Sequence, residues 1–353
     1  MRRGRTVSRN NCTIKLAMVS GSYPPDVCGA ADYTQRLAEA LEVRGVSVEV
    51  ITGTDWGVTN VPRVQRLIRT LGADLTHIQY PTVGYGRKLG PHLVGLLERA
   101  VVTLHEASQA HVLRQLSLFP LLFGRHIIFT NRFEQAYVSR VAPWVSQRSS
   151  VIPIGSNVPI GRTDGERRLD EIVYFGLIRP KKGLESVLDL AGILKQRVSG
   201  MTVRIIGLAQ KEHMSYLDAL REKSASLPIV WDLGLSNEAT ADQLTRVAYA
   251  YAPFPDGASE RRGSLLALLA NGVATITTRG PQTPQALDKT VEFAASPEGA
   301  AAILESLSSD PDRRQELSRY GVQYASRFSW LAIADLHIEL YQTRMKQHRA
   351  RFA

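Results

Sequence analysis

Cysteine is nearly absent from this chain: Cys12 and Cys28 are the two among 353 residues. That is too little for a disulfide framework, and no Cys/His spacing of a zinc site accompanies them, so a reducing cytoplasm is the expected compartment. Long apolar runs are missing too. The longest, around Leu116–Phe123 and Leu265–Ala270, fall far short of the ~18–20 residues that span a bilayer, which predicts a soluble protein. Arg2, Arg3, Arg5 and Arg9 precede only the short stretch Ile14–Val19, which reads as a strand and not a secretory core, leaving a floppy basic leader. Aromatics make up 7% of the chain and do not interleave with the basic residues, so no nucleic acid is expected as a partner. Gly-x-Gly-x-x-Gly is absent, which speaks against a dinucleotide-dependent dehydrogenase.

What is present is apolar material, 44% of residues, enough for two cores of ordinary domain size. The net charge of +10 is lopsided, with 18 Lys and Arg against 10 Asp and Glu in residues 1–160 and 25 against 23 in the rest. A basic first half suits a phosphorylated acceptor or an anionic membrane surface, the plainer alternative being a solvated basic face.

Short β-branched runs alternate with helical patterns through both halves. Strands are predicted near Ile14–Ser20, Val46–Thr52, Leu75–Gln79, Val101–Leu104, His126–Thr130 and Val151–Ile154, then near Ile172–Phe175, Val203–Ile206, Ile229–Leu233, Tyr249–Ala252, Ala274–Thr277 and Val291–Phe293. That rhythm predicts an α/β protein with two doubly wound, Rossmann-like domains. The helix Asp32–Arg44 ends at Gly45, and Arg63, Arg66 and Arg69 flank another whose opposite face holds Val64, Leu67, Ile68 and Leu71. Between the two series, Pro159–Asp170 is rich in Gly, Pro and charge and reads as a linker. The expected organisation is an N-terminal domain over residues 1–158, a C-terminal domain over 159–328, and a last helix over 329–353 returning to the first domain. Ligands of open α/β sheets bind outside the carboxyl ends of the strands, so the chemistry should lie on post-strand loops facing a central cleft.

Three of those loops carry chemistry. After the first strand comes Ser22-Tyr23-Pro24-Pro25-Asp26-Val27-Cys28-Gly29-Ala30, where Gly29 and Ala30 at a helix start leave backbone N–H groups open to a phosphate or sugar; a tight turn needing glycine is the other reading. After the fourth comes Thr103-Leu104-His105-Glu106. His77 and His126 sit inside strands and read as packed side chains. The second series opens with Gly176-Leu177-Ile178-Arg179-Pro180-Lys181-Lys182-Gly183, where a guanidinium and an ammonium on one loop suit a diphosphate leaving group. A further loop, Pro253 to Ser264, ends in Ser259-Glu260-Arg261-Arg262-Gly263-Ser264 ahead of Ala270-Asn271-Gly272.

In that order these segments resemble the family-4 retaining glycosyltransferases of the GT-B superfamily, over nearly the whole chain from Lys15 to about Tyr341. The resemblance implies transfer of a sugar from a nucleotide diphosphate sugar, the co-substrate, with retention of configuration. The acceptor is a glycan, a lipid-linked or a small molecule. It implies that His105 positions the donor sugar and that Glu260 contacts it, making these two the catalytic candidates. The donor-binding set is Gly29, Ala30, Arg179, Lys182, Arg261, Arg262, Gly263 and Ser264, with Leu235, in Trp231-Asp232-Leu233-Gly234-Leu235, beside the base. Two departures stand out. Leu177 occupies the place of the arginine that follows the glycine in the family. Counting back from Asn271-Gly272 puts the two glutamates of the Glu-x7-Glu motif at Ser259 and Ala267, or after a one-residue slip at Glu260 and Leu268, so the second is missing either way. A catalytically silent nucleotide- or partner-binding scaffold is the alternative. No Asp-x-Asp follows a strand, since Asp310-Pro311-Asp312 reads as a helix start, so no metal ion or other cofactor is expected. The apolar Leu116–Phe123 segment, with the arginines at 63, 66 and 69, suits peripheral contact with an anionic membrane.

Overall fold

The computed structural model describes residues 14–26, 28–105, 107–108, 117–124, 126–162, 165–198 and 200–349. Cys12, the leader arginines, Val27, Glu106 and Leu116 lie outside the described residues. The chain divides into two compact units, one of Met1–Ile152 with Ile333–Ala353, the other of Pro153–Ala332.

The first unit runs β1 (Lys15–Ser20), α1 (Gly29–Val43), β2 (Ser47–Ile51), α2 (Val61–Thr70), β3 (Leu75–Tyr80), α3 (Gly90–Leu97), β4 (Val101–Leu104), β5 (His126–Phe129), α4 (Arg132–Val141) and β6 (Ser149–Val151). The strands form one parallel sheet in the order β2-β1-β3-β4-β5-β6. β3, β4 and β5 are buried along their whole length, as the inner strands of a sheet covered on both faces must be, which is why Val101 and Val102, and Ile127 and Ile128, are apolar without alternation, while Thr76, His77, Gln79, Thr103 and His126 are buried polar exceptions.

The second unit runs β7 (Arg168–Leu177), α5 (Leu184–Arg197), β8 (Thr202–Leu208), α6 (Met214–Lys223), β9 (Ile229–Leu233), α7 (Asn237–Thr245), β10 (Val247–Ala252), α8 (Gly263–Ala270), β11 (Ala274–Thr277), β12 (Glu292–Phe293), α9 (Pro297–Ser309) and α10 (Pro311–Ala325). Its parallel sheet has the order β12-β11-β10-β7-β8-β9. Alternate residues feed separate cores: Ile172, Tyr174, Tyr249 and Tyr251 pack with α5 and α9, while Val173, Ala250 and Ala252 pack with α7 and α8. The period of 2 along a strand produces this division.

The last helix, α11 (Trp330–Arg349), joins the first unit from Ile333 onward. There Arg44 grips Asp335 through two parallel hydrogen bonds of 2.7 and 2.8 Å, a bidentate geometry that fixes the helix azimuth. Asp310 starts α10 by accepting from the backbone N–H of Arg313 at 2.9 Å, and Gly45, at φ 83°, follows the end of α1. No helix among the described residues is long and apolar enough to cross a membrane.

Three details differ from the sequence reading. β7 begins at Arg168, inside the expected linker, because its charges are paired: Arg204 on β8 bonds Glu171 at 2.8 and 2.9 Å and Asp232 on β9 at 2.5 Å. β6 ends at Val151 and not Ile154, since Pro153 has no N–H to give a ladder. On α2, Val61, Val64 and Ile68 are buried but Leu67 is exposed, so its apolar face is narrower than the sequence suggests.

Candidate active site

Each sheet reverses its direction of growth once, between β1 and β3 in the first unit and between β7 and β10 in the second. The crevice outside the carboxyl ends of such strands is where open α/β sheets take ligands. In both units glycines let the two loops at that point meet backbone to backbone. A Cβ at Gly84, after β3, would overlap the carbonyl oxygen of Gly21, after β1; one at Gly183, after β7, would overlap that of Pro253, after β10.

In the first unit the β1 loop leads into α1, whose N-cap residue Cys28 supplies no side-chain cap. Gly29 opens the helix. Its φ is not left-handed and a Cβ built on it meets nothing within 4 Å, so neither backbone nor packing demands glycine there, contrary to the tight-turn reading. Ala30 follows, half-buried, and its carbonyl accepts from Thr34 Oγ1 at 2.6 Å.

His105 stands just past β4. Its backbone N–H donates to Tyr80 O at 2.9 Å, its Nε2 is 3.0 Å from Gln79 Oε1, and its ring meets Tyr33 edge-on at 4.7 Å between centroids. Burial pushes the imidazole down to about 4, which keeps it neutral near pH 7. Beyond it, Asn131 caps α4 by accepting from Glu134 N at 2.9 Å, and the buried Glu134 carboxylate accepts from the backbone N–H groups of Ala107 and Ser108, each at 2.9 Å. One carboxylate thus fastens the segment that follows His105.

In the second unit the β7 loop is tied by Tyr174, whose hydroxyl lies 3.4 Å from Leu177 O and 3.3 Å from Lys182 O. Lys181 and Gly183 take positive φ values of 64° and 82°. Lys182 is half-buried and Arg179 exposed. Burial first, then the charges of Arg179 and Arg262, hold the Lys182 ammonium below its usual range, with Asp256 offsetting in part. The like charges of Arg179 and Arg262 thus bear on Lys182 from two loops, a repulsion that Asp256 relieves in part and a bound anion would relieve further.

Arg262 forms an ion pair with Asp256 and lies 4.9 Å from the Phe254 ring centroid, so part of its charge is already met. Arg261 is half-buried beside it. α8 then starts at Gly263, where again φ is ordinary and a Cβ would meet open space, followed by half-buried Ser264. Glu260 accepts from the Tyr324 hydroxyl at 3.1 Å. Leu235, 38% exposed, follows Gly234 at the carboxyl end of β9, on the side of β8 away from β7.

Solved structures share this architecture over nearly all of the chain. A glycosyltransferase from Rickettsia africae matches with a TM-score of 0.75 at 13% identity, covering 95% of this chain and 99% of that one. Sucrose-phosphate synthase from Thermosynechococcus elongatus gives 0.66 at 17%, covering 94% and 98%. HepE from Anabaena, in complex with UDP and glucose, gives 0.63 at 15%, covering 94% and 100%. The fold is GT-B. No family model and no curated protein matches the chain.

Within this fold, Ala267 and Leu268, the two positions that a second glutamate would take, are both fully buried on α8 and pack into the core. The sequence reading treated His77 as a packed strand residue, and it is fully buried. It also belongs to a hydrogen-bonded group that reaches His105 through Gln79, which that reading missed. The signal was there: His77 and Gln79 on β3, and Thr103 and His105 at the end of β4, are polar residues at a spacing of two in otherwise apolar strands, and the register pairs Gln79 with Thr103. Tyr324, which holds Glu260 from α10, had no such signal. His126 stands apart, with Nε2 2.9 Å from Ser150 Oγ.

Proposed function

We propose that this GT-B protein is a glycosyltransferase that moves a sugar from a nucleotide diphosphate sugar to an acceptor hydroxyl, retaining the anomeric configuration and using no metal ion. The observation that carries this is the backbone-to-backbone approach of the β7 and β10 loops at Gly183 and Pro253, with Arg179 and Lys182 on the first loop and Arg262 on the second. As the bond between the anomeric carbon and the diphosphate oxygen breaks, negative charge grows on the leaving group. Fixed cations and the N–H groups opening α8 at Gly263 and Ser264 stabilise it more in the transition state than before. The acceptor oxygen forms the new bond on the same face, and its proton passes to the departing diphosphate. His105 and Glu260 orient the donor sugar, Leu235 borders the base, and Gly29 and Ala30 leave room for the transferred group. HepE structures hold UDP, and UDP-glucose, which supports a uridine nucleotide as donor.

Calorimetry against UDP, GDP and ADP, followed by a radiolabelled-donor assay with cell extract as acceptor, tests the reading. If Lys182→Ala binds every nucleotide diphosphate as tightly as the parent, the donor site is misplaced. Binding without turnover of any nucleotide sugar favours a silent scaffold.

For the acceptor side we propose contact with an anionic membrane or lipid-linked acceptor. Phe119, Phe123 and Trp144 are 52%, 44% and 36% exposed and pack against one another with centroids 5.2–5.9 Å apart, while Leu118, Leu121 and Leu122 beneath them are buried. Arg63, Arg66 and Arg69 are exposed on α2 of the same unit.

A further inference from the structure

The side-chain hydrogen bond of His105 is the one from Nε2 to Gln79 Oε1 at 3.0 Å; Nδ1 has no partner among the described residues. A carboxamide oxygen only accepts, so this bond places the proton on Nε2. In a neutral ring the lone pair then lies on Nδ1. Gln79 is fully buried, and its amide nitrogen lies 3.4 Å from His77 Nε2. His77 uses both nitrogens, with Nε2 2.7 Å from Thr103 Oγ1 and Nδ1 2.7 Å from the Tyr341 hydroxyl. The Gln79 amide nitrogen faces His77 and its oxygen faces His105, and an amide nitrogen donating to His77 Nε2 leaves Nδ1–H to donate to Tyr341. Tyr33 is a second anchor of the ring, which it meets edge-on. His337 Nδ1 donates to Ile333 O at 2.8 Å, so its Nε2 accepts from the hydroxyl of Tyr33 at 3.5 Å, the residue whose ring stands against His105.

We propose that Gln79 is a positioning residue: held by His77 and through it by Tyr341 of α11, it locks His105 as the Nε2–H tautomer and so presents Nδ1 as the acceptor for a hydroxyl of the donor sugar. The use of Nδ1 rests on the function proposed above; the lock does not.

Imidazole ¹⁵N chemical shifts of the full chain, with histidine labelled and His105 assigned through His105→Gln, read the tautomer directly. At pH 7 the parent should show a pyridine-type Nδ1 and a pyrrole-type Nε2. Gln79→Leu should abolish the preference and give averaged shifts, whereas Gln79→Glu, which keeps an acceptor oxygen, should retain the Nε2–H form. In turnover, Gln79→Leu should lower kcat about 10-fold or more with donor KM changed less than ~3-fold, the signature of misplaced chemistry and not of lost binding. An Nδ1–H tautomer in the parent, or unchanged shifts in Gln79→Leu, overturns the proposal. If Gln79→Leu does not fold, loss of the Nε2–H form in Gln79→Glu overturns it instead. A parent that shows the lock but turns over no nucleotide sugar leaves the lock standing and removes the reaction assigned to it.

Discussion

Tyr324 donates its phenolic hydrogen to Glu260 at 3.1 Å, fastening the loop before α8 to α10. The phenol is pushed above its ordinary range, first by burial and then by the carboxylate it serves, and the Arg327 guanidinium lies over its ring at 4.5 Å. A hydrogen bond to a charged group contributes about 1.5–3 kcal/mol. Tyr324→Phe should therefore cut turnover roughly 10-fold or more through a wandering Glu260, while nucleotide affinity stays within about 3-fold. Equal losses in both would mean that Tyr324 only supports the fold.

The cation group predicts a ranking. Lys182→Ala should weaken nucleotide diphosphate binding by roughly 10–100-fold, the loss of one charge-assisted contact. Arg262→Ala should cost less, because Asp256 already meets part of its charge. Asp256→Asn should tighten binding a few-fold by releasing that arginine. Because Lys182 sits below its usual range and an arriving diphosphate restores it, binding at alkaline pH should take up protons, seen as a calorimetric enthalpy that changes with the buffer.

His105→Ala should lower turnover at least ~10²-fold with nucleotide affinity nearly unchanged, since orientation acts on the chemical step. Unaltered turnover removes His105 from the mechanism.

Acid should destabilise the first unit in a definite window. Burial moves His105 and His337 from 6.5 to about 4. The unfolded chain therefore binds their protons at a pH where the folded chain refuses them, and stability present above about 6.5 is lost as pH falls toward 4. The urea midpoint should drop between pH 7 and pH 5, and His337→Gln should flatten that drop. A midpoint indifferent to pH over this range contradicts the neutral burial of these rings.

Flotation with vesicles containing anionic lipid should carry the protein at moderate salt, and the pair Phe119→Ser and Phe123→Ser should abolish it without changing nucleotide binding. If the parent does not float, the basic half serves something soluble.

Strand positions were legible because burial on both faces writes itself as unbroken apolar runs such as Val247–Ala252. β7 was legible only in its middle, since Arg168 and Glu171 look like linker charge until Arg204 and Asp232 are seen beside them. At the candidate site, His105, Lys182 and Glu260 could be picked from motif spacing, which is local. Gln79, Tyr324 and Asp256 could not be assigned roles, because what each does depends on a partner brought by strand register, by a distant helix or by a turn's geometry.

The open starts of α1 and α8 have a consequence for anyone improving this protein. Gly29 and Gly263 sit in ordinary helical backbone with a methyl-sized space beside each, so alanine at either should raise stability by about 0.4–1 kcal/mol by restricting the unfolded chain. A search guided by melting temperature alone would find these two substitutions early. If phosphate and sugar bind as proposed, it would also close the two helix ends through which they reach the backbone, setting heat resistance against ligand access at two single carbon atoms.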